Sequence, residues 1–258
     1  MFRGLYTAWT GMAYEQKRLD VISNNMANSN TVGYKDEKVA SQAFDQVLGI
    51  KIRDGSQAYH NECIGSLSLG VKIGETYTDY SQGSVRQTGG TYDLALSGSG
   101  FFTVSVTDKA GEVHTRYTRD GRFHLTKDGL LVDADGNAVQ GQNGNITIDP
   151  SSKNVSISAT GQITADGELV DTLNIVDFED YDYLKKYGDT MYEPVDGATT
   201  KDAEGEILQG YTEQSNVNVV REMVDMITIT RAYEASQKVI HSYDSMLDKS
   251  VNQVGALK

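Results

Sequence analysis

Few groupings in this chain have the residue types and spacing that chemistry needs. Gly98-Ser99-Gly100 has the look of a phosphate-cradling turn, but no third glycine and no Lys-Ser/Thr pair follows it. Without that lysine, a tight turn ahead of the strand begun by Phe101-Phe102 is the simpler reading. Asp133-Ala134-Asp135-Gly136-Asn137 imitates the start of a calcium loop and so raises a calcium-dependent adhesion module. Its glycine comes too early, however, and the distal bidentate Glu is missing. Cys63 lies next to Glu62 with His60 close by, a weak nucleophile–base pairing with no other cation in reach to favour a thiolate. The dense carboxylates of Asp177 to Asp182 raise a hydrolase acting on cell wall with paired acids, although adjacent acids at strand ends are more simply a solvated face. Asn145-Ile146-Thr147 and Asn154-Val155-Ser156 are glycosylation sequons, which matter only in a secretory pathway. The expectation is no catalytic residue, no metal ligand and no cofactor.

Bulk composition narrows the partners. Among 258 residues, 36 Asp and Glu face 23 Lys and Arg, a net charge of -13. Such a surface repels phosphate backbones, so nucleic acid is excluded as a partner. A single cysteine excludes an intramolecular disulfide and any multi-Cys zinc site, and the four histidines have no metal-ligand spacing. No stretch approaches the ~20 apolar residues of a membrane span, so membrane insertion is not expected. The first thirty residues lack the apolar run of a cleaved signal peptide, which by ordinary routes implies the cytoplasm.

The elements around these groups divide cleanly. From Phe2, the positions Leu5, Trp9, Met12, Gln16, Leu19, Ser23 and Met26 alternate by three and four, the seam of a helix that packs on other helices. The Asn-rich run from Asn24 to Gly33 stops it, because Asn and Gly tolerate the left-handed backbone of helix ends. After Ser215-Asn216, read as an N-cap, Met223, Met226, Thr230, Tyr233, Gln237, Ile240, Asp244, Leu247, Val251 and Val254 repeat that spacing up to Gly255. Between them, short β-type runs are separated by Asp120-Gly121, Asp128-Gly129 and Asp135-Gly136, pairs that favour hairpin turns. The acidity is concentrated between Asp166 and Glu206, with 13 acidic and 3 basic residues. The expected fold class is α+β: long terminal helices pairing into a coiled-coil-like inner layer around a central antiparallel β-domain. Its spans are 1–33 for the N-terminal helix, 34–84 for an extended connecting segment, 85–207 for the β-rich outer domain and 208–258 for the C-terminal helix.

Three separated motifs carry a resemblance. Leu19 to Lys35, which includes Asn24, Asn25, Ala27, Asn28, Asn30, Thr31, Gly33, Tyr34 and Lys35, resembles the N-terminal signature of bacterial flagellar basal-body rod and hook proteins. The stretch Gln209-Gly210-Tyr211, then Glu213-Gln214-Ser215-Asn216-Val217-Asn218-Val219-Val220, and later Met223-Val224, Met226-Ile227 and Arg231-Ala232-Tyr233-Glu234, is similar to that family's C-terminal block. Asp93 to Phe102 and Tyr117 to Phe123 resemble its β-domain.

The resemblance implies a structural subunit of the flagellar rod that polymerises helically and transmits torque from motor to hook. The partners it implies are further copies of the chain, other rod and hook proteins, and the flagellar export apparatus. It also reverses the cytoplasmic reading: the location becomes the basal body, reached by flagellar export without a cleaved signal. The size suits the rod proteins and is short for a hook protein, although a short hook-like protein stays an alternative. The segment from Ala43 to Arg86 resembles the distal rod protein and Gly141 to Ile148 the proximal one, with the distal position slightly favoured. Leu5, Trp9, Met12, Leu19, Met26, Met223, Met226, Ile240 and Leu247 are the expected assembly contacts of the inner helices. By periodicity alone, the same stripes could equally pack together within one monomer.

Overall fold

The structure is a computed structural model that describes residues 2–51, 62–108 and 111–255. His60 and the Cys63 side chain, the weak nucleophile–base candidate, lie outside the described residues. The chain forms two compact units, one of residues 1–25, 37–77 and 219–258, the other of 26–36 and 78–218. These units cut across the linear spans read from the sequence.

The first unit contains both long helices. Helix α1 spans Phe2–Ala27 and α2 spans Val219–Lys249, with a wider helical turn at Ser250–Val254. Neither contains a proline, and apolar residues recur in each at helical spacing. The helices run antiparallel. Gly4 lies so close to the Tyr243 ring that a methyl group there would overlap it, and seven residues on, Gly11 faces Ser236. The covered line of α2 runs through Glu222, Met226, Ile229, Tyr233, Ser236, Ile240, Tyr243 and Leu247, of which Glu222 and Ile229 are fully buried. The stripe read from the sequence shares Met226, Tyr233, Ile240 and Leu247, while Met223, Thr230, Gln237 and Asp244 are exposed. Small residues on α1 explain the offset, since glycine gives a large tyrosine ring room that an apolar ridge would not. Ser215-Asn216 is not the cap of α2, which starts at Val219; the Ser215 hydroxyl instead accepts the Val217 N–H at 3.2 Å.

The expected extended connector is itself structured. It holds β1 (Glu37–Ala43), β2 (Val47–Lys51), β3 (Glu62–Leu67) and β4 (Val71–Thr78), with β1 paired to β4 and β2 antiparallel to β3. Asn25 ties the helix end to this ribbon. Its side-chain amide donates to the Glu37 carbonyl at 2.8 Å and accepts the Glu37 N–H at 3.1 Å, as a neighbouring strand would.

The second unit is antiparallel β. In chain order it contains β5 (Val85–Gln87), β6 (Leu94–Ser97), β7 (Phe101–Thr107), β8 (Val113–Thr118), β9 (His124–Leu125), β10 (Leu131–Val132), β11 (Ala138–Gly141) and β12 (Gly144–Asn145). There follow β13 (Val155–Ile157), β14 (Gln162–Ala165), β15 (Glu168–Thr172), β16 (Ile175–Phe178), β17 (Leu184–Tyr187), β18 (Met191–Pro194), β19 (Thr200–Asp202), β20 (Glu206–Gln209) and β21 (Tyr211–Glu213). The main sheet is centred on β7 and β8, while β13–β14–β15 form a separate meander. Alternating inward residues such as Phe102, Val104, Leu131, Val139, Ile146 and Ile163 make one core. Phe101, Phe178, Leu184 and Tyr192 make a second.

Of the Asp-Gly pairs at 120–121, 128–129 and 135–136, the last two are hairpin turns. Gly129 and Gly136 have φ of 81° and 87°, and β9, β10 and β11 pair in sequence across them. Asp120-Gly121 is not one. Gly121 instead lies against the Leu94 carbonyl, where any side chain would collide, and its own carbonyl accepts the Leu94 N–H at 2.9 Å. That glycine serves close approach between strands rather than a turn.

Candidate functional site

The residues that matter most are gathered in the second unit, where four chain crossings leave it near residues 26, 36, 78 and 218. After α1, the chain turns through Thr31, whose N–H bonds the Asn28 carbonyl at 3.1 Å, and reaches Gly33 in the left-handed region at φ 72°. Gly33 lies directly on the backbone of Arg119 and Asp120, so only glycine fits both the conformation and the space. Its N–H donates to the Glu213 carbonyl at 2.9 Å. This turn delivers Tyr34 and Lys35 into the interior, 0% and 1% exposed. The Lys186 ammonium lies 4.1 Å from the centre of the Tyr34 ring, a cation–π contact.

Glu213 collects the charges. One carboxylate oxygen accepts from the Lys35 ammonium at 2.6 Å and from the Gly83 N–H at 2.9 Å. The other accepts from the Arg119 guanidinium at 3.2 Å, while a second Arg119 nitrogen donates to the Gly98 carbonyl at 2.9 Å. Lys35 also donates to the Ser81 carbonyl at 2.9 Å. Burial pulls the Lys35 ammonium below its usual pKa, and the adjacent Glu213 carboxylate works against that shift.

Asn216 completes the cluster. Its carbonyl oxygen accepts the Asp36 N–H at 2.8 Å, and its amide donates to the carbonyls of Asp79 at 2.8 Å and Ser81 at 3.2 Å. The Asp79 N–H in turn donates to the Asp36 carbonyl at 2.8 Å. Three stretches, each at a crossing, are therefore laced together by buried and half-buried polar groups. A buried charge network is fragile to loss of one member, because the remaining charges are stranded without water. What this arrangement does is hold backbone in place.

The other sequence candidates fall into place around it. Gly98 and Gly100, at φ 113° and 124°, form a structural turn whose Gly98 carbonyl is the Arg119 acceptor. Asp133 accepts from the backbone of Asp135 and Asn137, both at 2.9 Å, closing a turn on itself. Asp177 is fully buried, bonded by the Tyr181 hydroxyl at 2.8 Å and paired with Lys201 at 3.1 Å, so it is not half of an exposed acid–base pair. Among the described residues, no three His, Cys, Asp or Glu side chains converge as a metal site.

Of the expected assembly residues, Leu5, Met12, Leu19, Met26, Met226, Ile240 and Leu247 are half-buried, and Trp9 and Met223 are about half exposed. In the signature, Asn25, Gly33, Tyr34, Lys35 and Ser215 are buried. Asn28, Thr31, Asn216, Val217, Ala232 and Tyr233 are half-buried, and Asn24, Ala27, Asn30, Asn218, Arg231 and Glu234 are exposed. The ion-pairing roles of Glu213 and Arg119 escape sequence reading. The one available signal was a lysine directly after the apolar Val32-Gly33-Tyr34, a charge in need of a partner.

Comparison with known proteins divides the chain along the same lines. Residues 5–35 match the family described as flagella basal body rod protein. Residues 95–165 match the flagellar hook protein FlgE/F/G D1 domain, and residues 208–254 match the flagellar basal body rod FlgEFG protein C-terminal family. Each matched stretch contributes one member of the buried cluster: Lys35, Arg119 and Glu213. The chain is similar to the flagellar basal-body rod protein FlgG of Bacillus subtilis, 34% identical over 98% of this chain and 99% of that one. It is also similar to FlgG of Caulobacter vibrioides, at 36% identity over 95% and 97%, and to FlgF of the same organism, at 32% over the full length of both.

Proposed function

We propose, because this chain belongs to the flagellar basal-body rod protein family, that it occupies the distal part of the rod and polymerises there with further copies of itself. It is a structural subunit of the flagellar rod and not an enzyme. Full-length similarity to proteins named FlgG, from Bacillus subtilis and Caulobacter vibrioides, carries the distal reading. The similarity to FlgF keeps a proximal position as the second reading.

In this reading α1 and α2 pair in coiled-coil fashion and line the inside of a helical assembly, and the β-unit forms the outer layer. Head-to-tail contacts that do not close into a ring extend the filament. A rod must resist twist, and the laced backbone around Glu213 stiffens the β-unit for that role. Leu5, Trp9, Met12, Leu19, Met26, Met223, Met226, Ile240 and Leu247 make the contacts between copies. Delivery is by the flagellar export apparatus, and neighbouring rod and hook proteins meet the two ends.

Labelled protein in purified basal bodies tests this. Label along the hook-proximal part of the rod is the expected result. Label confined to the base of the rod would favour the proximal reading, and basal bodies without label would reject both.

A further inference from the structure

We infer that Asn143 is a self-modifying site, which converts to aspartate or isoaspartate without an enzyme and thereby loosens the turn that holds it. Asn143 and Gly144 are exposed neighbours at the tip of the β11–β12 hairpin, where Gly141 pairs with Gly144 across the two-residue turn Gln142-Asn143. Gly144 has φ 120°, and the space where a side chain would point is empty. With no side chain on Gly144 to stand in the way, its main-chain nitrogen reaches the Asn143 side-chain carbonyl once the ladder bond that pairs Gly144 with Gly141 at the hairpin tip opens. In the reaction, the Gly144 nitrogen bonds to Asn143 Cγ, the Cγ–Nδ2 bond breaks, and ammonia leaves with the proton from Gly144. Water then opens the cyclic imide at either carbonyl, giving aspartate or isoaspartate.

The surroundings give the reaction a consequence. The Asn143 amide donates to Asp171 Oδ1 at 2.9 Å, and the same oxygen accepts the Thr172 N–H at 2.7 Å. Asp171 is 8% exposed and lies against Gly141, which leaves no room for a side chain there. The Gln142 N–H donates to the Thr172 carbonyl at 2.9 Å, so the turn is fastened to β15 at two points. A carboxylate can only accept, so conversion removes one fastening and sets a second negative charge against a nearly buried one. The isoaspartate product also adds a main-chain carbon, which breaks the Gly141–Gly144 register.

Peptide mapping by mass spectrometry of the full-length native protein, held at pH 8 and 37 °C, is the first test. Conversion at Asn143, with Asn137, Asn145 and Asn154 retained as amides, is the expected result. An Asn143 that stays an amide in the folded chain but converts in urea would overturn the inference, because the fold would then be protecting it. The second test is a cycle of Asn143→Asp and Asp171→Asn read by thermal melting. Asn143→Asp should lower the midpoint by a few degrees in the wild type and much less when residue 171 is Asn. Equal losses in both backgrounds would overturn the part assigned to Asp171.

Discussion

Lys35 and Glu213 are separated by 178 positions in the chain and by 2.6 Å in space, and both are buried. The pair joins the end of the N-terminal signature to the start of the C-terminal block. Arg119 reaches the same carboxylate from the β-unit. Two cations thus share one anion in a setting where water cannot replace a lost partner.

Removing that anion should be costly. Glu213→Ala leaves Lys35 and Arg119 as neighbouring buried cations and orphans the Gly83 N–H. Loss of one member of such a pair costs about 3–5 kcal/mol. Urea unfolding of the β-unit should show a loss of that order, and Glu213→Gln, which keeps an acceptor, should lose less. A change under ~1 kcal/mol for the alanine variant would mean the cluster is hydrated in solution.

Lys35 sets a pH dependence with a definite sign. Its folded pKa lies below the usual 10.5, with burial the leading cause. Between those two values the unfolded chain binds more protons than the folded one, so this group's contribution to stability rises with pH across that window. Wild type should gain on Lys35→Met as the pH is raised towards 10.5. Other titrating groups cancel in the difference between the two proteins. A widening deficit of wild type over the same range would mean that Glu213 outweighs burial.

Gly33→Ala probes the turn itself. A left-handed backbone costs a non-glycine residue about 1–3 kcal/mol, and the methyl group would also overlap the backbone of Arg119 and Asp120. The β-unit should melt well below wild type. An unchanged melting midpoint would show that the turn is not closed against Arg119 and Asp120 in solution.

The helices should be the labile part of an isolated chain. Of the 31 residues in α2, only Glu222 and Ile229 have buried side chains. A helix with so little tertiary support opens easily. Its amides should exchange with deuterium far faster than those of β7, where five of seven residues are buried. Equal protection in a verified monomer would mean that the helices are already fully packed before assembly.

Leu19→Asp separates folding from assembly. Leu19 is half-buried on α1 and belongs to the helical unit. The variant should leave the melting of the β-unit unchanged, while cells carrying it alone should build no rod beyond this subunit and fail to swim. Normal motility with normal export would remove the inner helices from the contacts between copies.

The sequence by itself determined the kinds of element and their order. Helical spacing at both ends, β-type runs between them and the turns at Asp128-Gly129 and Asp135-Gly136 are local properties, set by periods of 3.6 and 2 and by backbone freedom at single glycines. The family was legible for the same reason, since its three motifs are built from short runs of neighbouring residues. Only the tertiary structure decided which lines of the helices are covered, because Gly4 and Gly11 act through Tyr243 and Ser236 on another helix. It also decided that Asp120-Gly121 is a close approach and not a hairpin, since the colliding carbonyl belongs to Leu94. The cluster at Glu213 lies furthest from the sequence. A buried charge is stable only where distant segments bring its partners, and no local pattern records that Lys35, Gly83, Arg119 and Glu213 will meet.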